Sequence, residues 1–177
     1  MKKIRRVLLF GRFQPFHLGH VALTKWALYE LGFEEIVFLV GMASENYTPR
    51  NPFTAGERIE MIRLSLNDER IPLEKAVTAT IRTMEINIGN MFYVLSYVPK
   101  VEAILTRNPI IAKMARDAGL KTIVPPSFNR DEWRGEVIRL KIARGDDSWK
   151  KAVTPSTAEF VEEIGGIERI RTILSHD

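Results

Sequence analysis

The sequence predicts an α/β protein: a doubly wound parallel sheet with a small helical extension at its C-terminal end. Three observations lead there. Short apolar runs alternate with helical patterns from residue 7 to residue 124, the order that builds a parallel sheet with helices on both faces. The first of these runs is apolar throughout, as a strand buried on both faces is. After Pro125-Pro126 only helical patterns follow.

Residues 7–10 form the first strand, residues 11–18 a loop and residues 19–31 a helix. Leu23, Ala27 and Leu31 share one stripe of that helix, and Gly32 stops it. Residues 35–40 are the second strand, closed by Gly41. A long polar loop, 42–53, carries Pro49 and Pro52. Thr54, with Glu57 three positions on, makes a capping box. The helix it opens runs to about Leu66, with Ile59, Ile62 and Leu66 on one face. Residues 77–81 read as a strand by β-branched alternation, and 90–98 as a short helix. Residues 103–106 are a strand, 109–118 a helix ended by Gly119, and 121–124 the last strand. Residues 135–144 are a helix with Ile138 and Ile142 stacked. Residues 155–164 are another, with Thr154 as its cap and Pro155 at its first position. Gly165-Gly166 separates it from a final helix bearing Ile167, Ile170 and Leu174. The organisation expected is one domain, 1–177, with a core over 1–127 and a helical extension over 128–177.

Composition removes several functions. The chain has no cysteine, which excludes disulfides, thiolate catalysis and cysteine-ligated zinc. Its three histidines, His17, His20 and His176, are too few for a multi-histidine metal centre. No apolar run is long enough to span a bilayer, so no membrane partner is expected. The basic opening Met1–Arg6 precedes only four apolar residues and no cleavage site, so a cytoplasmic location is expected. The net charge of +4 is mild and dispersed. No basic–aromatic stripe is present, so a nucleic-acid partner is not expected.

The chemistry concentrates between the first strand and the first helix, where a doubly wound sheet binds its ligands. Gly11-Arg12-Phe13-Gln14-Pro15-Phe16-His17-Leu18-Gly19-His20 is neither a Walker loop nor a Gly-x-Gly-x-x-Gly turn. It sets two histidines three apart at a helix start, with Gly19 between them. A helix N-terminus offers free N–H groups and a positive dipole, a ready anion site. Glycine lets a ligand approach the backbone closely. Phosphate binding therefore outranks a metal pair, because acidic residues are absent nearby.

This stretch resembles the histidine-x-glycine-histidine signature of nucleotidylyltransferases, whose core is Rossmann-like, and is most similar to the archaeal-type nicotinamide mononucleotide (NMN) adenylyltransferases. Four later blocks support the resemblance: residues 51–58, Arg107-Asn108-Pro109, Val153-Thr154-Pro155 and residues 163–170. The resemblance implies adenylyl transfer from ATP to NMN, with Mg²⁺ accompanying ATP and no metal ligand from the protein. It also implies a homo-oligomer, a hexamer, for which Trp149 and Phe160 are apolar surface candidates. Carried over by position, His17, His20 and Arg139 are the catalytic groups. Gly11, Arg12, Phe13, Gln14, Gly19, Arg50, Arg107, Asn108 and Arg134 are placed with ATP. Tyr47, Asn51, Pro52, Phe53 and Asn90 are placed with NMN.

The chain departs from the family pattern in three places. The C-terminal phosphate motif, rich in Ser and Thr in the family, reads Arg134-Gly135-Glu136-Val137-Ile138-Arg139. Arg134 either replaces the lost donors or pairs with Glu136. The family's ring-contacting tryptophan is replaced by Asn90, with Trp133 as another ring partner, and a loop histidine has become Tyr47. Two alternatives therefore stand beside NAD synthesis: a nucleotidylyltransferase for another phosphorylated acceptor, and a catalytically weak nucleotide-binding paralogue.

Overall fold

The structure, a computed structural model, describes residues 4–82 and 91–175. Its five strands are β1 (Arg6–Gly11), β2 (Glu35–Val40), β3 (Ala76–Thr80), β4 (Ala103–Leu105) and β5 (Lys121–Ile123). They form one parallel sheet in the order β3-β2-β1-β4-β5. The helices are α1 (Leu18–Lys25), α2 (Ala55–Asp68), α3 (Met91–Leu95), α4 (Pro109–Asp117), α5 (Gly135–Ala143), α6 (Pro155–Glu163) and α7 (Gly166–Leu174). Strand order reverses at β1, which pairs with β2 on one side and β4 on the other. The loop leaving Gly11 therefore opens into the crevice of the switch point.

Side-chain alternation divides the interior in two. Val7, Leu9, Ile36, Phe38, Val40 and Leu105 share a core with Val21 of α1, Met61 of α2 and Ile138, Trp149, Val161 and Ile170 of the C-terminal segment. Leu8, Val37, Leu39 and Ile104 face the other way, onto Met91, Val94, Ile111 and Ala115 of α3 and α4. Both faces are covered, which is why the central strands carry no polar alternation. The C-terminal helices share the larger of these cores with the sheet.

The expected elements are present, with shifted ends and a few differences of substance. The first helix changes character: α1 ends at Lys25 and continues as a π-helical turn, Trp26–Glu30. The helix expected over 90–98 is shorter, and Asn90 lies outside the described residues. A 3₁₀ turn over Asp147–Ala152, not predicted, is capped by the Asp146 carboxylate, which accepts from the Ser148 N–H at 2.9 Å. That turn carries Trp149 into the core at 1% exposure. Trp149 is therefore not the apolar surface residue expected, whereas Phe160 is partly exposed. Thr154 holds the N-cap position of α6, but its side chain makes no cap bond. Its hydroxyl instead joins Ser65 and Thr157 in a buried cluster, at 3.2 and 3.1 Å. Among the described residues, no helix is long and apolar enough to cross a membrane.

Candidate active site

The loop from β1 to α1 turns its aromatics inward and its histidines toward the crevice. Phe13 and Phe16 are buried and pack edge-on against Phe38 of β2, at 6.0 and 5.6 Å between ring centres. Upon that floor the His20 ring stacks against Phe16 at 5.0 Å and against His17 at 3.7 Å. The backbone N–H of His17, the N-cap of α1, donates to His20 Nδ1 at 3.2 Å. With Nδ1 accepting, a neutral His20 carries its proton on Nε2 and presents a donor there. His17 Nδ1 is buried and has no partner. A Cβ on Gly19 would stand 3.0 Å from the His17 ring and 3.3 Å from the Trp133 carbonyl oxygen. A side chain there would crowd the ring, which would have to give by a few tenths of an ångström.

Burial pushes His17 down to about 3 and His20 well below the usual imidazole value, His20 being lowered further by His17. Both rings are neutral at pH 7 and act as N–H donors, leaving the positive charge to arginines. The sign of the pH effect follows. Below about 6.5 the unfolded chain binds protons that the folded rings refuse, so stability falls as pH drops from about 6.5 toward 3. The thermal midpoint should decline through that window, and should decline less in a His17→Gln variant, a comparison that calorimetry at several pH values makes directly.

Two cavities, of about 460 and about 440 Å³, share His17, His20, Gly135 and Glu136 in their walls. The first gathers Arg12, Arg50 and Arg139. Arg139 is fixed by donating from Nη1 to the Gln14 carbonyl at 2.7 Å and from Nε to the Pro49 carbonyl at 3.1 Å. Burial, and then the neighbouring Arg12 and Arg50 charges, lower its pKa, while Glu136 raises it. Cations held against their own repulsion form a site awaiting an anion. A Cβ on Gly135 would lie 2.8 Å from the Gln14 carbonyl oxygen, so only glycine lets the start of α5 approach this loop. The second cavity lies over β1 and β4 and is lined by Arg107, Phe128, Arg130, Trp133 and Arg134. Arg107 is braced by two donations to the Pro125 carbonyl, at 3.0 and 2.9 Å.

Phe13 and Gln14 also line the first cavity, while several other expected site residues lie outside both cavities. Gln14 is almost fully buried and its amide is closed on Phe53, donating to the carbonyl at 2.9 Å and accepting from the N–H at 3.0 Å. Phe13 and Gly11 are floor, with the Phe13 ring lying over Gly11. Asn51, Pro52 and Phe53, expected against the acceptor, are buried and line neither cavity. The Gln14 clasp holds Phe53 inside, and the Asn51 amide donates to Glu45 at 2.6 Å, leaving its Oδ1 without a partner. Tyr47 is exposed and also outside both cavities; the Arg169 guanidinium stacks on its ring at 4.4 Å. Asn108 caps α4, accepting from Ile110 and Ile111 at 2.9 and 3.4 Å. Arg134 pairs with Glu136 at 3.4 Å, and Glu136 faces both cavities.

Sequence reasoning missed two residues. Arg169 of α7 forms an ion pair with Glu57 at 2.7 Å and donates to the Pro52 carbonyl at 3.2 Å. Arg58 is fully buried behind the arginine cavity. The signal for both was the block containing Glu57 and Arg58, which reads as a capped helix start and also carries the site's bracing. Among the described residues no group of three or more His, Asp or Glu side chains could hold a metal.

The fold and this site define an α/β protein with an arginine-lined cavity at the carboxyl end of a parallel sheet. Comparison with known proteins gives that class a family. The cytidylyltransferase-like family model matches residues 8–141, and the chain belongs to that family. A nicotinamide-nucleotide adenylyltransferase of Ignicoccus hospitalis is 40% identical over 172 residues, 97% of this chain and 99% of its own. One from Saccharolobus solfataricus is also 40% identical, over 97% of this chain and 98% of its own. Among solved structures, a bifunctional NMN adenylyltransferase/ADP ribose pyrophosphatase of Francisella tularensis, complexed with AMP and a manganese ion, superposes with a TM-score of 0.75. That match covers 98% of this chain and 52% of the other at 17% identity, a likeness of fold.

Proposed function

We propose that the protein transfers the adenylyl group of ATP to NMN, forming NAD and releasing pyrophosphate. The observation that carries this reading is the junction at His17, His20 and Glu136 between two cavities, each lined by arginines. A phosphate oxygen of NMN attacks the α-phosphorus of ATP, the bond to the bridging oxygen breaks, and pyrophosphate leaves. A phosphate monoester is largely ionised at pH 7, so no general base is required. Catalysis reduces to holding two anions in line and stabilising charge on the transferring phosphoryl group. Arg12, Arg50 and Arg139 supply the charge, and His20 Nε2 supplies a directed donor. Mg²⁺ enters as part of the substrate, the Mg–ATP complex, neutralising phosphate charge. Glu136 is the only carboxylate among the lining residues that could add a ligand to it.

The second reading, another phosphorylated acceptor, draws on Asn51, Pro52, Phe53 and Tyr47 all lying outside both cavities. Product formation from Mg–ATP with NMN, nicotinate mononucleotide, phosphopantetheine, glycerol phosphate and flavin mononucleotide separates the two. NAD and pyrophosphate at the highest rate support the first reading; turnover on another acceptor alone replaces it with the second.

Glu136 also makes a prediction. Its carboxylate lies in the cavity walls, paired with the exposed Arg134 and close enough to act on Arg139. Glu136→Thr should tighten metal-free ATP about threefold to tenfold, by removing a like charge and adding a hydroxyl donor. Isothermal titration with EDTA present reads this directly, and unchanged affinity would place Glu136 away from the phosphates.

A further inference from the structure

Arg58 is the most unusual charged residue in the molecule. It is on α2, fully buried, and makes four hydrogen bonds, all to main-chain carbonyls. Nη1 donates to Arg12 at 2.9 Å and to Gly41 at 2.6 Å. Nη2 donates to Met42 at 3.2 Å, and Nε to Thr54, the cap of its own helix, at 3.1 Å. A buried cation bonded only to neutral carbonyls is expensive to hold, and burial pushes its pKa down to about 10.

The carbonyls it holds explain its presence. Arg12 O belongs to the loop leaving β1, and Gly41 O and Met42 O to the loop leaving β2. These are the two arms that carry Arg12 and Arg50 into the arginine cavity. Each arm also contains a non-glycine residue in the left-handed region beside a held carbonyl: Phe13 at φ 55° and Met42 at φ 52°. Such conformations persist only where surrounding contacts enforce them, and they gather at functional sites. Arg58 hydrogen-bonds both arms at these points.

We infer that Arg58 is a positioning residue: by tying the Arg12, Gly41 and Met42 carbonyls to one guanidinium, it holds the loops leaving β1 and β2 in their strained form and so sets the spacing of Arg12 and Arg50 about a bound polyphosphate. The inference rests on the adenylyltransferase reading only in taking the arginine cavity as the place where phosphates bind.

The test is a double-mutant cycle read with inorganic tripolyphosphate, which needs no acceptor and no chemistry. In the otherwise unchanged chain, Arg58→Lys should weaken tripolyphosphate binding about tenfold, because an ammonium cannot span three carbonyls on two loops. In an Arg12→Ala background the same change should cost about threefold or less, because one of the two groups whose spacing it sets is gone. Equal losses in the two backgrounds overturn the proposal. Arg58→Lys combined with Met42→Gly covers the case in which the single variant does not fold, since glycine adopts the left-handed backbone unaided. That pair should fold and still bind tripolyphosphate weakly. If it does not fold, or binds as tightly as the unchanged chain, the proposal is overturned. Absence of tripolyphosphate binding in the unchanged chain would instead remove the phosphate reading of the cavity.

Discussion

Replacing His20 with alanine should lower kcat by about 10²–10³-fold while leaving the affinity for ATP within about threefold. The expectation comes from the state of the ring. His20 is neutral, with its Nδ1 occupied by the His17 N–H, so its Nε2–H is a fixed donor with no positive charge. A neutral donor adds little to ground-state binding of a triphosphate already facing three guanidinium groups. Its value lies in direction: it is held by Phe16 and His17 stacked on its faces and by Phe13 at its edge, so it need not reorganise as charge develops. Single-turnover rates and equilibrium ATP titrations on the variant separate the two effects. A parallel loss of affinity and rate would reduce His20 to a binding residue.

Arg139→Lys should lower kcat/KM by about 10²-fold, although the charge is kept. Arg139 spends Nη1 and Nε on the Gln14 and Pro49 carbonyls, and its remaining N–H donors are those available to a ligand. It therefore joins the β1 loop and the long loop after β2, as well as meeting phosphate. Lysine offers a point charge and no planar fork, so it cannot serve two carbonyls and an anion together. Lysine keeps the charge that Arg12 and Arg50 repel, so the folded state loses only the bonds to the two carbonyls. The variant's thermal midpoint without nucleotide is expected to fall far less than its kcat/KM does. Steady-state kinetics beside a melting curve checks both halves of the expectation.

Much of the scaffold was legible because buried parallel strands and capped helices advertise themselves in apolar runs and in Thr54–Glu57. The histidine pair was legible because two such residues at a helix start, around a glycine, have few other uses. The rest was hidden for identifiable reasons. Gln14, Phe53 and Asn51 belong to a motif that reads as ligand contact, yet their bonds are to one another and to Glu45, which only the fold brings within reach. Arg58 lies among helix-surface arginines in the sequence, and its burial depends on loops from two distant strands. Trp149 looked like a surface aromatic because the 3₁₀ turn that buries it carries charged neighbours, Asp147, Lys150 and Lys151. Whether Arg134 replaced a lost donor or paired with Glu136 turned on a single side-chain direction, which no periodicity encodes.

The Arg169–Glu57 pair joins positions 112 residues apart, and Leu174 of the same final helix lines the arginine cavity. A chain still emerging from the ribosome and halted at Ile164 already holds both histidines, Arg58 and Arg139. It has no Arg169 to brace the Pro52 carbonyl and no Leu174 to close the cavity wall. The wall of the arginine cavity is thus complete only once α7 has docked, and a chain in which that helix is undocked holds the arginines and histidines without the enclosure around them.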